Sequence, residues 1–166
     1  MSLGQRDVAT MRFFAEIVGK VLEDRQTRDA ESQAVTGRLR HVMDEQRYAT
    51  VFQPIFNIVE NRVVGFEALA RFQSEPYRPP NEWFADAAAV GLLQELESTM
   101  RRDALKHLQD LAPGAYLSLN VTPFAVLDQD FANSLSSYPL DRLVLEITEH
   151  ECVEDYEKIA EALEPL

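Results

Sequence analysis

A chain of 166 residues has room for one domain of ordinary size, or for a smaller domain with an appendage. Its 28 acidic against 16 basic residues give a net charge of -12, which argues against a surface for a nucleic-acid polymer or an anionic membrane, since both need a basic patch. A lone cysteine, Cys152, excludes an internal disulfide framework and a cysteine zinc cluster and is compatible with a reducing, cytoplasmic setting.

The 46% hydrophobic content and nine phenylalanines supply a real core. Near the start, Val8 to Leu22 is the longest apolar stretch, but Arg12, Glu16 and Lys20 interrupt it at four-residue spacing. That marks a charged helix face, and neither a signal peptide nor a membrane span. Met11, Phe14, Val18 and Val21 follow a three-four spacing that continues through Arg25, Arg28 and Ser32 to Val35, Leu39 and Val42. Such a frame predicts a long helix, and two arrangements use it: a homodimer through this amino-terminal helix, or one amphipathic helix docked on its own domain. The polar run from Glu23 to Ser32 is the best linker candidate.

From Tyr48 the period changes to two. Tyr48 to Ile58 reads as a strand, with Pro54 marking a sheet edge or a bulge. Only Val59 to Asn61 separates it from Val63 to Phe72, so the two strands are predicted to form an antiparallel hairpin. Within the second strand, Gly65, Glu67, Leu69 and Arg71 share one face, while Val64, Phe66, Ala68, Ala70 and Phe72 form a core face. Glu67 needs a partner there, because desolvating an unpaired carboxylate costs several kcal/mol or more. An ion pair with Arg71, a solvated outer face and a ligand site all satisfy that need.

After the prolines at 76, 79 and 80, Asn81 is placed to cap a helix over Trp83 to Val90. Gly91 breaks or bends it, and Leu93, Leu96, Met100, Ala104, Leu108 and Leu111 give the stripe of a longer helix. Ala115 to Val121 then reads as a strand, and a helical crossover of that length implies a parallel neighbour. Phe124 to Ser136 is predicted helical, Arg142 to Thr148 is a third parallel strand, and Val153 to Leu163 has helical composition. A hairpin followed by strand-helix units fits an α/β barrel or an open α/β sheet.

Each strand carries a polar residue that a structural strand would not choose. In parallel α/β folds the carboxyl ends of the strands form the ligand face, which places Asn120 and Glu146 at one mouth with Glu67. Two carboxylates and an amide oxygen suit a hard divalent cation and suit zinc or copper poorly. His41, His107 and His150 share no metal-binding spacing.

Four segments in order, Phe52-Gln53-Pro54-Ile55, Gly65-Phe66-Glu67-Ala68-Leu69-Ala70-Arg71-Phe72, Ser118-Leu119-Asn120-Val121-Thr122-Pro123 and Leu145-Glu146-Ile147-Thr148-Glu149, resemble the EAL-domain family of bacterial cyclic di-GMP phosphodiesterases. The resemblance covers about Glu45 to Leu166. It implies a TIM-like (β/α) barrel whose first strand is antiparallel, and so a chain divided into a helical linker over residues 1–44 and the amino-terminal half of an EAL domain over 45–166. It further implies Mg2+ or Mn2+ held by Glu67, Asn120 and Glu146, a substrate side lined by Gln53, Leu69 and Arg71, and catalytic roles for Glu67, Glu146 and Glu149, the last holding a catalytic loop. Val8 to Leu22 resembles, over a short stretch, the last helix of a GAF-type sensory domain.

The family's second half, with its paired aspartates, catalytic lysine and later glutamate and glutamine, has no counterpart up to Leu166. Glu45 to Leu166 is roughly half of a barrel of about 250 residues. The resemblance therefore implies hydrolysis of cyclic di-GMP to linear pGpG by the intact domain and little activity of this chain alone. Two other readings stand beside it: a non-catalytic cyclic di-GMP receptor, and a dimerisation or signal-relay module.

Overall fold

A computed structural model describes the backbone of residues 3–147 and 156–166, with side chains from residue 10 onward. Two compact units form, Met1–Arg38 and Leu39–Leu166. Helix α1 runs unbroken from Leu3 to Asp44. The polar run Glu23 to Ser32 is helical throughout; its arginines, glutamates and single alanine carry good helix propensity, and Thr27 Oγ1 donates to the Glu23 carbonyl within it.

The second unit is built on a four-stranded sheet in the order β1-β2-β3-β4, comprising Tyr48–Asn57, Arg62–Phe72, Tyr116–Val121 and Leu143–Ile147. β1 pairs antiparallel with β2, and β2, β3 and β4 run parallel, as the connection lengths require. The hairpin turn is set by Asn57, whose Oδ1 accepts the N–H groups of Val59 and Glu60 at 3.0 Å each, and by Asn61 at φ 52°. Pro54 lies on the edge strand, and the register slips just after it, between Ile55 and Phe56.

Helix α2 (Pro80–Ala89) starts earlier than its composition suggests. Asn81 is not its cap: Pro79 holds that position and Pro80 opens the helix, where a missing N–H costs nothing. Gly91 at φ 74° separates it from α3 (Leu93–Lys106). The apolar stripe through Leu111 does not prolong α3; a 3-10 turn over Leu108–Asp110 follows, and its three-residue period keeps Leu108 and Leu111 on the same side. Likewise 124–136 forms two short helices, α4 (Pro123–Val126) and α5 (Phe131–Leu135). Between them Asp128 accepts the N–H of Asp130 at 2.8 Å, so a side chain competes with the helical ladder. Helix α6 covers Tyr156–Leu163.

The register aligns the apolar residues on one face of the sheet. Ala68 opposes Leu119, which opposes Leu145, while Leu117 opposes Leu143 and Val121 opposes Ile147. These pack with Leu105, Val126, Phe131, Leu135 and Ile159 of the helices into the main core. Trp83 is fully buried and stacks on Phe72 at 5.0 Å, which ties α2 to the end of β2. Gly65 makes a close approach possible on the opposite face: a Cβ there would lie 2.6 Å from the ring of Tyr116.

Candidate functional site

The face opposite the core carries the polar residues singled out in the sequence. Gln53 opposes Glu67, Glu67 opposes Ser118, and Asn120 opposes Glu146, so alternation puts all five on one side of the sheet. The β2–β3 ladder ends at Ala68 and Leu119, which leaves Glu67 at its last steps although β2 continues to Phe72. Glu67, Asn120 and Glu146 therefore lie on one face of the sheet toward the carboxyl end of the parallel set.

Asn120 Nδ2 donates to Glu67 Oε1 at 2.8 Å. Glu67 thus meets its need for a partner across the strands; among the described residues it forms no ion pair with Arg71, whose guanidinium donates instead to the Ala70 carbonyl at 2.8 Å. Glu146 accepts a hydrogen bond from Ser118 Oγ, and Ser118 is the polar residue of the described set that is wholly buried. Ser118 was not singled out from sequence, yet it lies two residues before Asn120 on the same face, where a strand of leucines would otherwise leave a carboxylate without a donor. Glu149 lies outside the described residues.

A cavity of about 660 Å³ opens between the end of β2, the end of β3 and helices α2 and α3. Glu67, Leu69, Arg71, Asn120, Thr122 and Arg101 are among its walls. Gln53 and Glu146 are not, though both are exposed on the same sheet face. Thr122 ends β3 and caps α4: its Oγ1 accepts the Ala125 N–H at 3.2 Å and donates to Glu97 Oε2 at 2.9 Å, so α3 braces the strand end that presents Asn120. Arg101 lies over the Phe131 ring at 4.7 Å, and burial pushes its pKa below the ordinary arginine value despite nearby Glu97 and Asp128.

The donor set fits a hard divalent cation in kind, being all oxygen, and is incomplete in number. Among the described residues no group of three or more histidine, cysteine, aspartate or glutamate side chains gathers to hold a metal; the set here is two carboxylates and one amide. Sharing a cation with Glu67 requires Asn120 to offer Oδ1 in place of Nδ2.

The sequence model of the EAL domain family matches residues 36–166, and the chain belongs to that family. Its fold is accordingly the first part of a TIM-like barrel with an antiparallel first strand, preceded by a long helix. The uncharacterised protein y4lL of Sinorhizobium fredii is 31% identical over 137 residues, 77% of this chain and 16% of that protein. The FimX EAL domain of Xanthomonas citri, solved with c-diGMP, superposes with a TM-score of 0.66 at 18% identity over 82% of this chain and 58% of its own. YkuI of Bacillus subtilis, a protein with an EAL domain solved with substrate c-di-GMP and calcium, gives 0.60 at 25% identity over 75% of this chain and 34% of its own. The chain thus spans only a part of each of these relatives. No described helix is long and apolar enough to cross a membrane.

Proposed function

We propose that the intact domain containing this chain is a cation-dependent phosphodiesterase that opens cyclic di-GMP to linear pGpG. The observation that carries the proposal is the joining of Glu67 to Asn120 at the end of the β2–β3 ladder, with Glu146 as Asn120's register partner and Arg71 on the same cavity wall. Family membership and the cyclic di-GMP bound by FimX and YkuI support the substrate class.

Glu67, Asn120 and Glu146 would hold Mg2+ or Mn2+, with further oxygen ligands from the part of the domain not in this sequence. When bound, the cation supplies Lewis acidity toward a phosphodiester oxygen and the attacking water. The chain's own residues bind and orient. Arg71 uses one nitrogen on the Ala70 carbonyl and keeps other guanidinium donors for a phosphate, whose charge a protein of net charge -12 would otherwise repel. Leu69 offers an apolar wall to a base, and Gln53, opposite Glu67, supplies both an amide donor and an acceptor on the substrate side. The family pattern gives Glu149 the role of holding a catalytic loop.

The test is hydrolysis of cyclic di-GMP by the intact domain with Mg2+ or Mn2+, followed by chelation. Linear product that disappears with chelator supports the proposal. Tight binding without any product would favour the receptor reading.

A further inference from the structure

The heptad frame of α1 divides into two halves with different fates. Leu39 and Val42 are 1% and 0% exposed, buried within the second unit. Met11, Phe14, Val18 and Val21, on the same frame, are between 54% and 71% exposed, and Ile17 and Leu22 beside them are also open. An antiparallel pair along the whole frame would set the first group against the second, which is already consumed, and one centred on Met11 to Val21 would place Arg25 and Arg28 against the opposite end of the partner helix, away from the partner's Asp24 and the partner's Asp29. A parallel pair needs only the first group.

We propose that α1 pairs in parallel with a second copy of this chain through Met11, Phe14, Val18 and Val21, extended by two charged layers at Arg25 and Arg28. With Met11 at an a position, Phe14 falls at d, Val18 at a, Val21 at d, Arg25 at a and Arg28 at d. Arg12, Glu16, Lys20 and Glu23 then occupy outer b, c and f positions, away from the seam. Ile17 at g and Leu22 at e widen the apolar stripe.

The charges identify the occupant. In a parallel pair an a residue lies beside the partner's preceding g residue, and a d residue beside the partner's following e residue. Arg25 meets Asp24 of the partner subunit, and Arg28 meets Asp29 of the partner subunit. Both arginines therefore find carboxylates in a seam made by the same sequence twice. In the single helix Arg25 pairs with Asp29 at 3.9 Å, with both side chains more than half exposed, a pair of little worth alone.

Sedimentation equilibrium of the 166-residue chain at high micromolar concentration tests this, with urea unfolding of each variant as a check on the second unit. The wild type is expected to be a dimer, and Val18→Asp with Val21→Asp a monomer whose main unfolding transition is unchanged. Arg25→Glu with Arg28→Glu should weaken the dimer by about tenfold or more, and adding Asp24→Arg with Asp29→Arg should restore it. In a Cys152→Ser background, Val18→Cys should oxidise to a covalent dimer, as a parallel a layer requires. A monomeric wild type, a dimer that survives Val18→Asp with Val21→Asp, or failure of the charge swap to restore association would overturn the proposal.

Discussion

Asn120 and Glu67 are 53 residues apart in the chain and are joined by a hydrogen bond of 2.8 Å from Nδ2 to Oε1, two residues along β3 from Ser118, the register partner of Glu67. The bond removes one of the three readings open to Glu67 from sequence, the ion pair with Arg71. Its partner is a side chain from the next parallel strand, and Arg71 is left facing the cavity.

Replacing Asn120 by alanine should be nearly silent in stability. Asn120 is exposed and its bond to Glu67 is solvent-accessible, so the expected cost is about 0.5 kcal/mol. In the intact domain the same change should lower both cation affinity and turnover, as measured by Mn2+ titration alongside hydrolysis.

Ser118→Ala should behave differently. The hydroxyl is fully buried and donates to Glu146, and its loss is expected to cost about 1 kcal/mol in urea unfolding. A change within error would mean that the hydroxyl does not hold Glu146 in solution.

Thr122→Val removes a cap and the link to Glu97 together. The expected cost is about 1–2 kcal/mol. Glu97→Gln keeps an oxygen able to accept from Thr122 and should cost less; equal losses would show that the charge of Glu97, and not the hydrogen bond, braces the strand end.

Core and seam residues on α1 should separate cleanly in denaturant. Leu39→Ala leaves a cavity in the second unit and is expected to cost about 2–5 kcal/mol. Val18→Ala, 54% exposed in the single chain, should leave that unit's midpoint where it was.

The strands, their directions and the shared face of Glu67, Asn120 and Glu146 were legible because period-two alternation and connection length both follow from backbone geometry. Helix ends were less so. The stripe through Leu108 and Leu111 fits an α-helix and a 3-10 turn alike, and Asp128 interrupts 124–136 through a side-chain bond that no periodicity records. The two fates of the α1 frame were also hidden, since Leu39 and Val21 are equivalent in pattern and differ only in what surrounds them. Ser118 escaped notice for a related reason: a serine in a strand gains meaning only when Glu146 is seen beside it.

The most direct test of the proposed chemistry is Glu67→Gln in the intact domain, with divalent-cation affinity and cyclic di-GMP hydrolysis measured on one preparation. The amide preserves the shape of the side chain and an acceptor for Asn120 while removing the charge that would hold the cation. The account predicts that cation affinity and turnover fall together and that the fold, followed by circular dichroism, is unchanged. Full turnover by Glu67→Gln, or by the wild-type domain in excess chelator, would contradict it.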